Sequence, residues 1–524
     1  MKKSKNPAYP IMIQGTSSHV GKSILVAAIC RILKDNGLKV APFKAQNMAL
    51  NSFAAKDGGE MGRAQVFQAE AAGIEPTVDM NPILLKPTSD MGSQVIIHGK
   101  IYGNMNAKEY HKFKKEAKKY VIESYKRLAE EYDVIVIEGA GSPAEINLRE
   151  NDIANMGLAE MVDSPVILAG DIDRGGVFAS LVGTMELLSN AEKQRVKGFI
   201  INKFRGDFEL LKAGLDFLEH KTGLPVLGVV PYLKDIILPD EDGVVLERVQ
   251  GRVPIRRMGG GSRVQEKINI SIIKLPRISN FTDFDAFKHE TDIVLRYVSN
   301  PEELDEADVI IIPGSKNTLE DLKWLWDAGI ANKIINYAKN SGRVIGICGG
   351  FQMLGRCVND PYGMESSAKK TKGLGLLDME TILEKEKNTY QVEAEIKSKV
   401  KSQKSKVKGY EIHMGETNGR EQSFSVITIR NNRYVKIHDG AISDNGKIWG
   451  TYIHGIFDND EFRTGFLNEV RAIKRLPVQQ GVCFKDKQDV NIKALAEVVK
   501  NSIDMIKMLE ICGLKTIAYT KGNK

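Results

Sequence analysis

Ile11-Met12-Ile13-Gln14-Gly15-Thr16-Ser17-Ser18-His19-Val20-Gly21-Lys22-Ser23 runs straight into Ile24-Leu25-Val26-Ala27-Ala28-Ile29-Cys30-Arg31-Ile32-Leu33. This reads as strand, loop and helix in immediate succession. Ile11 to Gln14 is a short apolar strand. The stretch from Ser23 onward is strongly helix-forming, and Gly37 stops it. A glycine-bearing loop between a strand and a helix N-terminus turns its backbone N–H groups toward phosphate oxygens, and the helix dipole favours their charge. Lys22 is placed to reach terminal phosphates, and the Ser23 hydroxyl to ligate Mg²⁺. Counted strictly, the five-residue lead before Gly21-Lys22-Ser23 starts at Thr16, where the usual pattern has glycine.

Working outward, apolar strands alternate with helical patterns, the signature of an α/β domain with a mainly parallel sheet. Further strands are expected at Lys39–Pro42, Val134–Glu138, Val166–Ala169, Gly198–Asn202 and Val226–Val230. Ligands of open α/β sheets bind at the carboxyl ends of strands. Glu138, ending Val134-Ile135-Val136-Ile137-Glu138-Gly139-Ala140-Gly141, is therefore a candidate Mg²⁺ partner. Asn202, at another strand end, is a candidate for reading a nucleotide base, although a strand-terminating turn residue explains it equally well. Lys44, Gln46, Asn47 and Asn51 follow the second strand. Arg63, Gln65 and Gln68 share a helical stretch, and Asp171, Asp173 and Arg174 follow the Val166–Ala169 strand. Their convergence on one sheet edge favours a large polar or acidic ligand.

The limits set by composition are broad. A chain of 524 residues exceeds one core and calls for two or three domains. A net charge of +7 is modest at this length and gives no argument for nucleic acid. No apolar run approaches the ~18 residues of a membrane span. The basic start, Met1-Lys2-Lys3-Ser4-Lys5, is followed by too short an apolar stretch for a signal peptide. A cytoplasmic protein is expected. Five scattered cysteines form neither a disulfide framework nor a metal cluster. Cys30, Cys357, Cys483 and Cys512 are read as buried core thiols. Nothing in the sequence fixes an oligomeric state.

Between residues 251 and 266 glycine and charge break every periodicity, as in a linker. A second α/β pattern follows, with strands at Ile268–Ile273, Ile293–Val298, Val309–Ile312 and Arg343–Ile347. The last ends in Gly346-Ile347-Cys348-Gly349-Gly350. Flanking glycines tolerate the strained turn that exposes a nucleophile, and a helix N-terminus favours the thiolate. His454, in Tyr452-Ile453-His454-Gly455, is the candidate general base and then acid. The N–H groups near Gly314 and of Gly349 are candidates to hold an oxyanion. The expected organisation is a synthetase domain over 1–250, the linker 251–266, a second domain over 267–462 and a helical appendage over 463–524.

Several longer blocks carry a resemblance. The phosphate loop with Glu138-Gly139-Ala140-Gly141 resembles the dethiobiotin synthetase group, which uses ATP to activate a carboxylate. Phe43-Lys44-Ala45-Gln46-Asn47-Met48, Glu60-Met61-Gly62-Arg63-Ala64-Gln65, Gly170-Asp171-Ile172-Asp173-Arg174-Gly175-Gly176 and Asn202-Lys203-Phe204-Arg205-Gly206-Asp207 resemble the cobyric acid synthase family within it. The Cys348 elbow, Pro313-Gly314-Ser315-Lys316-Asn317-Thr318, Tyr410-Glu411-Ile412-His413-Met414-Gly415 and Thr451-Tyr452-Ile453-His454-Gly455 resemble triad-type glutamine amidotransferases. Two doubly wound domains are implied, a P-loop NTPase-type parallel sheet and a class I, flavodoxin-like amidotransferase domain.

The resemblance further implies ATP, Mg²⁺ and glutamine as reactants, with Thr16, Gly21, Lys22, Ser23 and Asn202 on the nucleotide. It implies a corrinoid substrate, adenosylcobyrinic acid a,c-diamide, amidated at its b, d, e and g carboxylates and met by Lys44, Gln46, Asn47, Arg63 and Asp173. The alternatives are a cobyrinic acid a,c-diamide synthase, or a partition-type ATPase with an inert second domain. One departure stands out. Most triad amidotransferases carry glutamate two residues after the histidine, and here that position is Ile456. The Ile278–Asp285 block is a further match, expected to present its polar residues toward a partner domain.

Overall fold

The computed structural model describes residues 8–88, 92–233, 236–237, 267–366, 368–397, 405–511 and 513–514. The expected linker 251–266 lies outside them. The chain divides into two compact units, Met1–Met48 with Met61–Leu238 and Gln488–Lys524, and Ala49–Glu60 with Pro239–Lys487.

The first unit is built on a six-stranded sheet of β1 (Tyr9–Gly15), β2 (Val40–Phe43), β3 (Val134–Glu138), β4 (Val166–Asp171), β5 (Val196–Phe204) and β6 (Val226–Pro231). The spatial order is β6-β5-β4-β1-β3-β2, and every pairing is parallel. All five residues of β3 are buried, as expected for a strand covered on both faces. Helix α1 (Lys22–Asp35) follows the phosphate loop and buries eleven of its residues. A smaller sheet carries Gln46–Met48 beside Ile83–Pro87, Gly92–Ile97 and Lys100–Asn106. The charged stretch before Asp133 forms the helix Ala107–Glu131, whose Asn106–Glu109 capping box satisfies its first N–H groups.

The core of this unit draws on both ends of the chain. Ile11, Ile13, Leu25, Val136, Ile167, Ile200 and Leu227 pack with Leu495, Ala496, Val499, Ile503, Met508 and Leu509. The latter lie on the helices Phe484–Ser502 and Met505–Ile511, except Ile503, which sits between them and bridges to Gly228. Asp504 N donates to Leu227 O at 2.7 Å, and Arg31 pairs with Asp489 at 2.7 Å. The carboxyl-terminal stretch is thus a layer of the first unit's interior.

The second unit has a sheet of β7 (Ile268–Ile273), β8 (Ile293–Val298), β9 (Val309–Ile312), β10 (Arg343–Ile347), β13 (Ala441–Ile442) and β14 (Ile448–Thr451). Its order, β8-β7-β9-β10-β14-β13, is the flavodoxin-like 2-1-3-4-5 with an antiparallel edge added. The long antiparallel pair β11 (Met379–Ile396) and β12 (Lys406–Gly419) belongs to a second sheet, where β12 pairs with Ile453–His454. Tyr410 to Gly415 on β12 are buried although the flanks of the pair are lysine-rich. Cys30 and Cys357 are buried as expected; Cys483 is exposed, just ahead of the helix Phe484–Ser502, and does not fill a core. Cys512 lies outside the described residues.

Candidate active site

The Cys348 elbow takes its shape from close backbone packing. Cys348 has φ 52° and ψ −108°, a conformation a non-glycine residue adopts only when its surroundings enforce it. Its N–H is fixed by Thr451 O at 2.8 Å, and its carbonyl accepts Gln352 N at 3.1 Å. A Cβ on Gly350 would come 1.9 Å from Ile312 O, and one on Gly346 would come 2.5 Å from Gly350 O. Only glycine lets the strand and the helix Gly349–Leu354 approach so nearly.

His454 is 2 % exposed, and its side chain hydrogen-bonds Asp283, while Cys348 Sγ lies 3.5 Å from Ile412 O. Its Nδ1 lies 2.7 Å from Asp283 Oδ2, while Asp283 Oδ1 accepts Gly455 N at 3.1 Å. Burial opposes the imidazolium, but the charges of Asp283 and then Cys348 outweigh it, and the His454 pKa rises well above the ordinary imidazole value. The group that holds the imidazole is therefore Asp283, not a residue two positions beyond the histidine. Ile456 stands there, fully buried in the core. Asp283 sits in the matched Ile278–Asp285 block. Its signal was an acid between two phenylalanines in Phe281-Thr282-Asp283-Phe284-Asp285, a run that is buried throughout.

Of the two oxyanion candidates, Gly349 faces Ser315: a Cβ on Gly349 would lie 2.9 Å from Ser315 N. Gly314 sits against the imidazole instead, its Cβ position 3.3 Å from His454 Cε1. Ser315 Oγ donates to buried Asp321 at 2.7 Å, which steadies this loop. Next to the elbow, Thr318 Oγ1 donates to Gln352 Oε1 at 3.1 Å and Gln352 Nε2 to Tyr452 Oη at 3.3 Å. A cavity of about 940 Å³ is lined by Phe351, Glu411, His413, Thr417, Arg430 and Tyr452, among others. Burial opposes ionisation of Glu411, but His413 and then Arg430 overcome it and hold its carboxyl below the usual range.

In the first unit the phosphate loop ends at Gly21, whose φ of 94° caps α1. Thr16 N donates to Ala169 O at 3.0 Å, and Lys22 Nζ to Ser17 O and Gly141 O, each at 3.0 Å. Behind the loop lies a buried carboxylate with several donors. Glu138 accepts from Ser23 Oγ at 2.8 Å, Lys44 Nζ at 2.7 Å and Gln68 Nε2 at 2.6 Å. Gln65 Nε2 approaches it at 3.5 Å, and Gln65 Oε1 accepts from Asn47 Nδ2 at 2.9 Å. Ser23, Lys44, Glu138 and Asn47 thus converge as one cluster, with Gln65 and Gln68 as its amide donors.

The other sequence candidates stand apart from that cluster. Asn202 Nδ2 donates to Val20 O at 2.7 Å, tying its strand end to the loop. Gln46 Oε1 accepts from Tyr110 Oη at 2.7 Å. Arg63 pairs with Glu70 at 3.7 Å, and Asp173 with Arg205 at 2.9 Å. The donor set of a serine hydroxyl and one carboxylate beside a phosphate loop fits Mg²⁺, which takes few protein ligands and completes its shell with phosphate and water. Among the described residues no cluster of three or more His, Cys, Asp or Glu forms a dedicated metal cage. No described helix is long and apolar enough to cross a membrane.

Residues 11–246 match the family model described as CobQ/CobB/MinD/ParA nucleotide binding domain, and residues 269–462 match the CobB/CobQ-like glutamine amidotransferase domain. Cobyric acid synthase of Clostridium tetani is 51% identical over 506 residues, spanning 96% of this chain and 99% of the relative. Cobyric acid synthases of Clostridium botulinum (strain Loch Maree) and Thermoanaerobacter sp. are 52% and 50% identical, each with the same coverage. Among solved structures, PurLQS from Thermotoga maritima is 16% identical with a TM-score of 0.28, over 44% of this chain and 98% of that one. With both domain models matched in order and half of all residues identical over nearly the full length, the chain belongs to the cobyric acid synthase family.

Proposed function

We propose that this protein is an ATP- and glutamine-dependent ligase that amidates the b, d, e and g carboxylates of adenosylcobyrinic acid a,c-diamide, giving cobyric acid in cobalamin biosynthesis. The observation that carries this reading is the sharp turn of Cys348 beside His454, an imidazole whose Nδ1 lies 2.7 Å from Asp283, in a chain that also has a phosphate loop. An assembled thiol, imidazole and carboxylate speak against an inert second domain.

Cys348 Sγ attacks the side-chain amide carbon of glutamine as the thiolate paired with protonated His454, and the oxyanion is met by the N–H groups of Gly349 and the Gly314-Ser315 turn. His454 delivers its proton to the departing nitrogen, the C–N bond breaks, and ammonia leaves a thioester. Neutral His454 then takes a proton from water, whose oxygen attacks the thioester; the C–S bond breaks, glutamate departs, and the thiolate and imidazolium are restored. The polar cavity beside Tyr452 has room for a zwitterionic amino acid. In the first unit a substrate carboxylate oxygen attacks the γ-phosphorus of ATP, ADP departs, and an acyl phosphate forms. Lys22 and the loop N–H groups bind the phosphates, Thr16 and Gly21 shape the loop, and Asn202 contributes at the base end. Mg²⁺, held by Ser23 and Glu138, would supply positive charge against the transferring phosphoryl group. Ammonia then attacks the acyl carbon and phosphate is expelled. Lys44, Gln46, Asn47, Arg63 and Asp173 are the side chains offered to the corrinoid.

The test uses glutamine labelled with ¹⁵N in its side-chain amide, together with ATP, Mg²⁺ and the corrinoid. Mass spectrometry should find one ¹⁵N per amide formed. Cys348→Ser should lose glutamine-driven amidation and keep amidation driven by added ammonia. Absence of label in the corrinoid product of the wild-type enzyme would overturn the reading.

A further inference from the structure

The residues that complete the environment of His454 come from an unexpected part of the sequence. Ala49–Glu60 lies between the crevice residues Lys44, Gln46 and Asn47 and the helix bearing Gln65 and Gln68, yet it packs as part of the second unit. Its strand Ser52–Ala54 reaches the glutaminase machinery at two points.

The first is the turn that carries Asp283. Ser52 N donates to Asn280 Oδ1 at 3.0 Å, and Asn51 Oδ1 accepts Phe281 N at 3.2 Å. Asn280 has a left-handed φ of 53°, and its carbonyl accepts Asp283 N at 3.0 Å. These bonds fix the entry into the turn three residues ahead of the carboxylate. The second point is Tyr410. Its ring stacks on the His454 imidazole, with centroids 5.2 Å apart and planes 18° from parallel. Phe53 packs against Tyr410 at 4.8 Å, and Asn280 Nδ2 reaches Tyr410 Oη at 3.4 Å. Ala54, Tyr410 and Ile412 form one small apolar cluster with Phe53 beside it. The far side of the segment is tied down as well: Gln391 Nε2 donates to Ala54 O, and Lys387 pairs with buried Glu60.

An imidazole held only at Nδ1 can still tilt about that hydrogen bond. The Tyr410 face removes the tilt, and Tyr410 is itself backed by Phe53. We infer that Asn51 and Phe53 are positioning residues of the glutaminase site, holding Asp283 through Asn280 and the His454 ring plane through Tyr410. The inference rests on the amidotransferase reading of Cys348 and His454.

Two measurements on the full-length protein test it: steady-state glutamine hydrolysis, and the pH dependence of Cys348 alkylation by iodoacetamide, which needs no turnover. Phe53→Ala should lower kcat about 10- to 100-fold with KM for glutamine within about twofold, because a displaced base slows chemistry without weakening binding. The same variant should shift the pH profile of Cys348 alkylation, and Phe53→Tyr, which keeps a ring at this position, should restore both. Asn51→Ala removes only the acceptor for Phe281 N and is read in the same two ways, which covers a Phe53 variant that fails to fold. The inference is overturned if soluble Phe53→Ala and Asn51→Ala leave both the kcat and the alkylation profile at wild-type values. It is equally overturned if Phe53→Tyr rescues neither. Wild-type protein without glutaminase activity would count against the amidotransferase reading alone, since the alkylation profile still reports on the base.

Discussion

His454 is drawn two ways: its burial favours the neutral ring, and Asp283 and Cys348 favour the charged one. The charges win, and the base rests protonated. Asp283→Asn keeps the shape and one acceptor but removes the leading favourable charge. Its kcat for glutamine hydrolysis should fall on the order of 10³- to 10⁴-fold, the scale seen when a triad acid is neutralised. The sign of the pH effect follows directly. Without the carboxylate the imidazolium loses its proton at lower pH, so the alkaline limb of the kcat profile should move toward acid. An unchanged limb would remove Asp283 from this role. Cys348 and His454 were legible in the sequence because glycines flank one and a short apolar strand precedes the other. Asp283 was not, since it lies 171 residues before the histidine it serves and has no periodic pattern around it. Glu138 and Lys44 were legible singly, as polar strand ends, but their 2.7 Å pairing was not.

At the scale of elements, the strand before His454 is anchored from beneath by Asp439. Its carboxylate accepts Ser425 Oγ at 2.9 Å, Thr451 Oγ1 at 2.5 Å and Tyr452 N at 3.0 Å. Burial, reinforced by the charge of Glu411, nevertheless pushes its pKa up to about 6 against these bonds. The folded state therefore holds a proton that the unfolded chain, titrating near 3.8, has released. The associated stability is present below the unfolded value and is lost as pH rises through about 6. Asp439→Asn does not titrate. Relative to wild type, the variant should gain about 2–3 kcal/mol between pH 4 and pH 7, measured as the change in urea unfolding free energy. A constant difference across that range would show that the Asp439 proton is not retained. The strands of the first unit's main sheet and four of the six in the second's were readable from apolar runs and glycine stops, several to the residue; the short Ala441–Ile442 and Ile448–Thr451 were not. The segment Ser52–Ala54 was not, because three residues are too few for a period and its partners lie in another unit.

For the whole molecule, the notable fact is that chain order and packing order differ. The stretch after Arg463 reads from the sequence as a helical appendage, but only long-range contact reveals that Leu495, Val499 and Met508 help fill the first unit's interior. Leu495 is fully buried there. Leu495→Ala should cost about 2–5 kcal/mol. In calorimetry the loss should appear in the transition that nucleotide raises, with the other transition unmoved; a shift in the wrong transition would contradict the packing. A consequence follows for biosynthesis on the ribosome. The helices Phe484–Ser502 and Met505–Ile511, which help fill the first unit's interior, are translated after every strand of both main sheets, so a nascent chain that holds all those strands still lacks part of that interior. The second unit has all its strands, from Ser52–Ala54 to Ile453–His454, on hand before those helices are complete.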